Sequence, residues 1–506
     1  SKEQWRFTLP NYHWYQTVAP MALSAIMLSG CLSGGGGGGS DAPAAGAPEV
    51  TREQDKRAFY TEELPEVDLV KLANTTRYYG KYAGLQGDAL YVAEVPDDWD
   101  GKGLIMWTHG YGGDVLEVKL QTPSDAWRNA VIGAGYAWAA SSYSANWYDA
   151  RAGLEDTNKL ALNLVEYIER DHGQRVASAP PSQYLISGES LGGHIAAAAV
   201  DRENIERTQF KVEYAGAAPV CQSEQNEFQW LGDYTRVMMQ LAGYGDQDYS
   251  DFQDLVGEFQ SYGQISLLSR AGPMVTALFN TYPGGAPNWS SPKGVEGQRL
   301  VDIAKNLTGG ERPIFQQGYA TFWQDVVLGT GGAAGDINGI LIKHIYDNQN
   351  TVYRWTSDPT PTAQELEFND AVSRISADPE ANPLRDDGVR WIPLVNGDFD
   401  VPVLTMHTLG DFYVPFRHQQ LYRERAEEND NADMLVQRAI RATGHCGFSE
   451  GEYTAAINDW LKWVNDGTKP AGDEVLDAAV VADANYGCNF TVGERAGLPT
   501  CQIPQP

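Results

Sequence analysis

The stretch YLISGESLGG, Tyr184 to Gly193, constrains this chain more than any other part of it. A strand-like run ends at Gly188, a serine follows between glycines, and an alanine-rich helical run begins at once. Gly188-Glu189-Ser190-Leu191-Gly192 fits G-x-S-x-G in the one context where that spacing has a mechanical meaning, a sharp strand-to-helix turn that lifts a serine hydroxyl clear of its surroundings. Side chains on either flank of such a turn would collide with the adjoining strand or helix, and glycine removes the collision.

A serine hydroxyl is a weak nucleophile until a base takes its proton, so a histidine held by a carboxylate is required. Of the 8 histidines, His445 stands after the last expected strand, in GHCGF before a long helix. Asp411 follows the preceding strand, in LGDFYVP. Asp398 and Asp400 precede that strand and would start at the wrong edge of the sheet, and His407 falls inside it as a packed residue. His172, His194, His344 and His418 sit on expected helices or in the inserted segment, and His109 supports its loop. An oxyanion needs amide donors. The glycine-rich loop after LIMWT offers Tyr111, with Gly112 as the alternative, and the residue after the nucleophile offers Leu191.

The surrounding pattern alternates short apolar runs with amphipathic helices, which predicts a mostly parallel twisted sheet with helices on both faces. RYYGKYAG and ALYVAEVP read as an antiparallel hairpin, and Ser124 as the cap of a helix carrying Trp127. The rhythm runs through residues 51–221, stops over 222–396, and resumes over 397–467. The interruption is too long for a loop and reads as a mainly helical cap. Its aromatics, among them Phe228, Trp230, Tyr234, Phe252, Phe259, Tyr282 and Trp323, are read mostly as the cap's own core. Residues 468–506 form a C-terminal extension.

The order serine, aspartate, histidine at these strand ends resembles the α/β-hydrolase superfamily. That resemblance implies a serine hydrolase, a site beneath the cap, and no metal or organic cofactor. The leading expectation is a carboxylic ester hydrolase with an ester substrate. A proline-specific type of serine peptidase on the same fold is the alternative, with Glu224, Glu227, Glu258 or Asp325 holding a substrate amine, and a non-catalytic surface lipoprotein is the third reading. His445-Cys446 also resembles tannases and feruloyl esterases, where a cysteine after the histidine bridges to one before the serine, but Glu189 occupies that place here.

Near the amino end, a short apolar run closes in Leu28-Ser29-Gly30-Cys31 before a glycine- and alanine-rich leash over 32–50, an order that resembles a bacterial lipoprotein signal with Cys31 as the lipid-bearing residue. The expected location is the bacterial cell envelope, as an outer-membrane lipoprotein or secreted, with membrane contact through the lipid alone. Cys221, Cys446, Cys488 and Cys501 then make an even set for an oxidising compartment. Three pairings are possible; the short Cys488 to Cys501 loop is favoured, which leaves Cys221 with Cys446. No cysteine or histidine spacing suggests zinc. With 67 acidic against 37 basic residues and a net charge of -30, the chain repels rather than steers nucleic acid.

Overall fold

The computed structural model describes residues 51–61, 69–245, 272–329, 339–343, 345–385 and 388–502. Cys31, the leash, Phe252, Glu258, Phe259 and His344 lie outside these residues.

Eight strands form the main sheet: β1 Thr75–Ala83, β2 Asp88–Pro96, β3 Gly103–Thr108, β4 Ala137–Ser141, β5 Gln183–Glu189, β6 Tyr214–Val220, β7 Val403–Thr408 and β8 Leu435–Ile440. They are ordered β1-β2-β4-β3-β5-β6-β7-β8. β1 and β2 make the expected hairpin, β2 also runs antiparallel to β4, and every later neighbour pair is parallel. This is the α/β-hydrolase fold. β3 and β4 are buried along their whole length, and their unbroken apolar or small character follows from having a helix layer on both faces.

The nine principal helices among the described residues are α1 Asp125–Gly133, α2 Ala150–His172, α3 Leu191–Ala199, α4 Gln229–Leu241, α5 Gly294–Leu307, α6 Phe315–Gly329, α7 Ala363–Ala371, α8 Arg417–Glu428 and α9 Glu450–Asp466. Ser124 caps α1 as expected, its side chain accepting from Trp127 N–H. α2, α3 and α8 bury Leu160, Ile195 and Tyr422 on one face of the sheet. α1 and α9 bury Trp127, Ile457 and Trp460 on the other.

The inserted segment contributes α4 to α7 and, beyond the helical expectation, an antiparallel ribbon of Phe279–Thr281 with Pro287–Pro292. Trp230, Tyr234, Phe279, Phe315, Tyr319 and Trp323 pack into a core of its own, whereas Tyr282 is exposed. Val389, Trp391, Ile392 and Val395 already belong to the main core beside α2 and α3, so the chain rejoins the body before residue 396. The C-terminal extension covers the exposed edge of β8. Asp473 N–H donates to Gln437 O at 2.7 Å, and Ala439 N–H donates to the Asp473 carboxylate at 2.9 Å. A Cys488–Cys501 bridge closes its end. No helix among the described residues is long and apolar enough to cross a membrane.

Candidate active site

β5 ends and α3 begins on either side of Ser190, whose φ of 59° and ψ of -121° lie in a region that side-chain-bearing residues rarely adopt. The flanking glycines make this possible. A Cβ at 188 would collide with the Thr108 side chain and the Gly192 carbonyl, and one at 192 with the Thr108 carbonyl. Thr108 sits opposite Gly188 in register, and its hydroxyl donates to Gly192 O at 2.7 Å. Ser190 N–H donates to Val220 O at 3.2 Å, so the turn is held from β3 and from β6.

Asp411 leaves the end of β7 in a turn and is fully buried. One carboxylate oxygen accepts from Val414 N–H at 2.9 Å, the other from His445 Nδ1–H at 2.6 Å. His445 Nε2 then lies 2.8 Å from Ser190 Oγ. Because Nδ1 carries the proton shared with the carboxylate, Nε2 is left as the acceptor that faces the serine hydroxyl. The loop before the histidine is fixed by Thr408, whose hydroxyl donates to Gly444 O at 2.8 Å.

Burial works to lower the basicity of His445, but the charge and hydrogen bond of Asp411, joined by the charges of Glu227 and Glu189, outweigh it and hold the imidazole above its ordinary range. Only neutral His445 can accept a proton. The acid limb of kcat/KM is therefore expected to centre above the ordinary imidazole value of about 6.5. Glu227→Gln removes a facing negative charge and is expected to move that limb to lower pH, while Asp411, Glu189 and the buried His407 stay in place. A pH-rate profile of the variant that does not move, or moves upward, contradicts this account.

The loop after β3 packs against the serine: a Cβ on Gly110 would lie 3.4 Å from Ser190 Cβ. Tyr143 holds this loop, donating from its hydroxyl to His109 O at 2.9 Å while the two rings stack at 3.9 Å. Burial lowers the His109 pKa, which suits the supporting role expected of it. The Tyr111 side chain is 42% exposed and its hydroxyl bonds to Asp114, so the hydroxyl is engaged within its own loop. Leu191 opens α3, where amides and the helix dipole favour negative charge.

Cys446 bridges to Cys221, at the end of β6. Cys221 N–H also donates to Met406 O of β7 at 2.8 Å, so the bridge ties the histidine loop between the strands that carry the serine and the aspartate. The partner is not the residue before the serine, as in tannases; Glu189 there accepts from Tyr453 OH at 2.5 Å, with its pKa pushed up by burial. Cys221, His445 and Cys446 make the one grouping with metal-ligand proximity among the described residues, and both sulfurs are committed to the bridge.

The remaining candidates fall elsewhere. Asp398 pairs with Arg202 at 3.1 Å and Asp400 is exposed. His407 Nε2 donates to Val414 O at 2.8 Å, behind Asp411. His194 bonds Tyr148 and Pro393 O, and His172 bonds Tyr79 O. His418 sits on α8, where two carboxylates meet it. Its Nε2 donates to Glu227 at 2.7 Å, and Glu224 beside it is bound by Arg425. Burial disfavours the charged ring, but the two carboxylates more than offset it and raise the His418 pKa. Glu227 and His418 are 191 positions apart, so no local pattern signalled the pair.

No protein-family profile matches the chain. Over 111 residues it is 35% identical to an o-phthalyl amidase of Xanthobacter agilis, a stretch covering 22% of this chain and 24% of the relative, so the match spans about a quarter of that relative's length. Among solved structures, the rice cell wall degrading esterase LipA from Xanthomonas oryzae is 14% identical with a TM-score of 0.36, over 78% of this chain and 90% of that one. An esterase from Aspergillus oryzae is 13% identical with a TM-score of 0.40, over 79% and 88%. The strand order, rather than these scores, identifies the fold.

Proposed function

We propose that this protein is a serine hydrolase that cleaves carboxylic esters through an acyl-enzyme. Ser190 Oγ attacks the acyl carbon as its proton passes to His445 Nε2, and the carbonyl oxygen becomes an oxyanion that the Tyr111 and Leu191 amides receive. Collapse of the tetrahedral intermediate breaks the bond to the alcohol, which leaves with the proton from His445. Water then attacks the acyl-enzyme, gives a proton to His445, and the acid departs as that proton returns to Ser190. Asp411 keeps the imidazole in the tautomer that can accept. The observation that carries this reading is the continuous chain of contacts from Asp411 through His445 to Ser190, at 2.6 and 2.8 Å, at the carboxyl ends of parallel strands.

The similarity to an o-phthalyl amidase favours a second reading on the same machinery, cleavage of an amide of an aromatic acid. The peptidase reading draws less support, because Glu224 and Glu227 are already engaged by Arg425 and His418. The proposal keeps Cys31 as the lipid attachment point of an envelope protein, and two disulfides suit such an oxidising compartment.

Parallel assays on p-nitrophenyl esters, aryl amides and aminoacyl-naphthylamides separate these readings. Ester turnover at least about a hundredfold above amide turnover in kcat/KM is expected. Preference for the aryl amides transfers the assignment to an amidase, and failure of a fluorophosphonate probe to label the protein removes the serine mechanism altogether.

A further inference from the structure

The loop that carries Asp411 is gripped from two sides. From the body of the fold, Ile440 O accepts from Leu409 N–H at 2.8 Å and Ala442 O from Gly410 N–H at 2.9 Å, continuing the β7–β8 ladder. From the cap, Arg312 Nε donates to Leu409 O at 2.9 Å. Gly318 of α6 lies so close to the Gly410 carbonyl that a Cβ would overlap it. Phe412, 1% exposed, leaves the body to enter the cap's aromatic core, stacking on Tyr234 at 5.4 Å and meeting the edge of Tyr319 at 5.6 Å. Residues 409, 410 and 412 are all seated on cap residues, and Asp411 between them turns toward His445.

Arg312 is the unusual member of this seam. It is 4% exposed, yet its donors go to Leu409 O, Gly310 O at 2.9 Å and the Thr308 hydroxyl at 3.2 Å rather than to a carboxylate. A buried guanidinium without an ion-pair partner is costly, and here three hydrogen bonds and the face of Phe315, 4.9 Å away, offset that cost only while the carbonyl next to the acid stays in their grip. Burial lowers its pKa to about 10, which leaves it charged at neutral pH, and Asp411 is among the charges it feels. The rigid fork fixes its three acceptors relative to one another in a way a flexible ammonium does not.

We propose that Arg312 is a positioning residue: by fastening the Leu409 carbonyl to the cap, it sets the place of Asp411 and makes the cap and the acid one mechanical unit. The proposal rests on the serine, histidine and aspartate reading above. Its consequence is that loosening this seam slows the chemical step, whereas loosening the cap elsewhere alters substrate binding.

The test compares Arg312→Met, Arg312→Lys and Arg299→Met in the full chain, by p-nitrophenyl ester kinetics with thermal melts confirming the fold. Arg299 also lies in the cap, where it bonds Glu296 at 2.8 Å and Gln364 at 2.9 Å and covers Trp355, none of them part of the acid loop. Arg312→Met is expected to lose at least about thirtyfold in kcat with KM within about threefold, the signature of an interaction that serves the transition state. Arg312→Lys, which keeps the charge but gathers its donors on a single nitrogen, recovers part of the loss but stays below wild type. Arg299→Met keeps the wild-type kcat. A folded Arg312→Met with wild-type kcat, a loss confined to KM, or an equal kcat loss in Arg299→Met overturns the proposal. If Arg312→Met does not fold, wild-type kcat in Arg312→Lys overturns it. Ser190→Ala measured alongside keeps the two failures apart: activity there sinks the triad reading, while an inert Ser190→Ala beside a normal Arg312→Met sinks this inference alone.

Discussion

Ser190→Ala is expected to lower kcat by about a millionfold, the size of loss seen when a nucleophile that acts as part of a unit is removed. The change deletes one oxygen, whose partner is His445 Nε2 at 2.8 Å. Strain at φ 59° belongs to the turn and its two glycines, so it persists with alanine in place, and the melting temperature is expected to stay within a few degrees. Loss of activity without loss of fold is therefore the diagnostic result. Residual catalysis of about a thousandfold over water survives in such variants, because oxyanion donors and substrate binding remain. If purified Ser190→Ala turns over p-nitrophenyl esters at more than about one thousandth of the wild-type rate, the nucleophile is another residue. A fluorophosphonate probe adds an independent reading, since its label is expected to vanish with the hydroxyl.

What was legible in the sequence follows from how locally each feature is determined. The Ser190 turn imposes a steric demand within five residues, and Gly188 and Gly192 record it directly. Asp411 and His445 were legible because strand order places the ends of β7 and β8 beside that of β5 through β6, so position after a strand predicts proximity. Ser124 announced its helix by the same local logic. Contacts across the insertion left no comparable trace. Arg312 reaches Leu409 over 97 positions and His418 reaches Glu227 over 191, and neither separation carries a periodicity to detect. The ribbon of Phe279–Thr281 and Pro287–Pro292 was hidden for another reason. Proline at both ends of its second strand argues against a strand, and only its small two-stranded setting tolerates them.

Asp411→Asn is expected to cost about ten-thousandfold in kcat with the fold intact, and the reason lies in which atom of the amide faces the histidine. The carboxylate accepts at both oxygens, from Val414 N–H and from His445 Nδ1–H. Asparagine has a single acceptor oxygen. Val414 N–H is fixed in the backbone and claims it, which turns the amide NH2 toward the ring. A donor facing Nδ1 makes Nδ1 the acceptor, so the ring proton moves to Nε2. That nitrogen then donates toward Ser190 instead of taking its proton. His407 cannot correct the tautomer, because its Nε2 proton is already given to Val414 O at 2.8 Å. Volume and packing are almost unchanged at this fully buried position, so a melt close to wild type should accompany the loss. An Asp411→Asn protein with kcat within about tenfold of wild type would show that the imidazole is oriented by another carboxylate, with Glu227 the first to examine, since its charge also bears on His445.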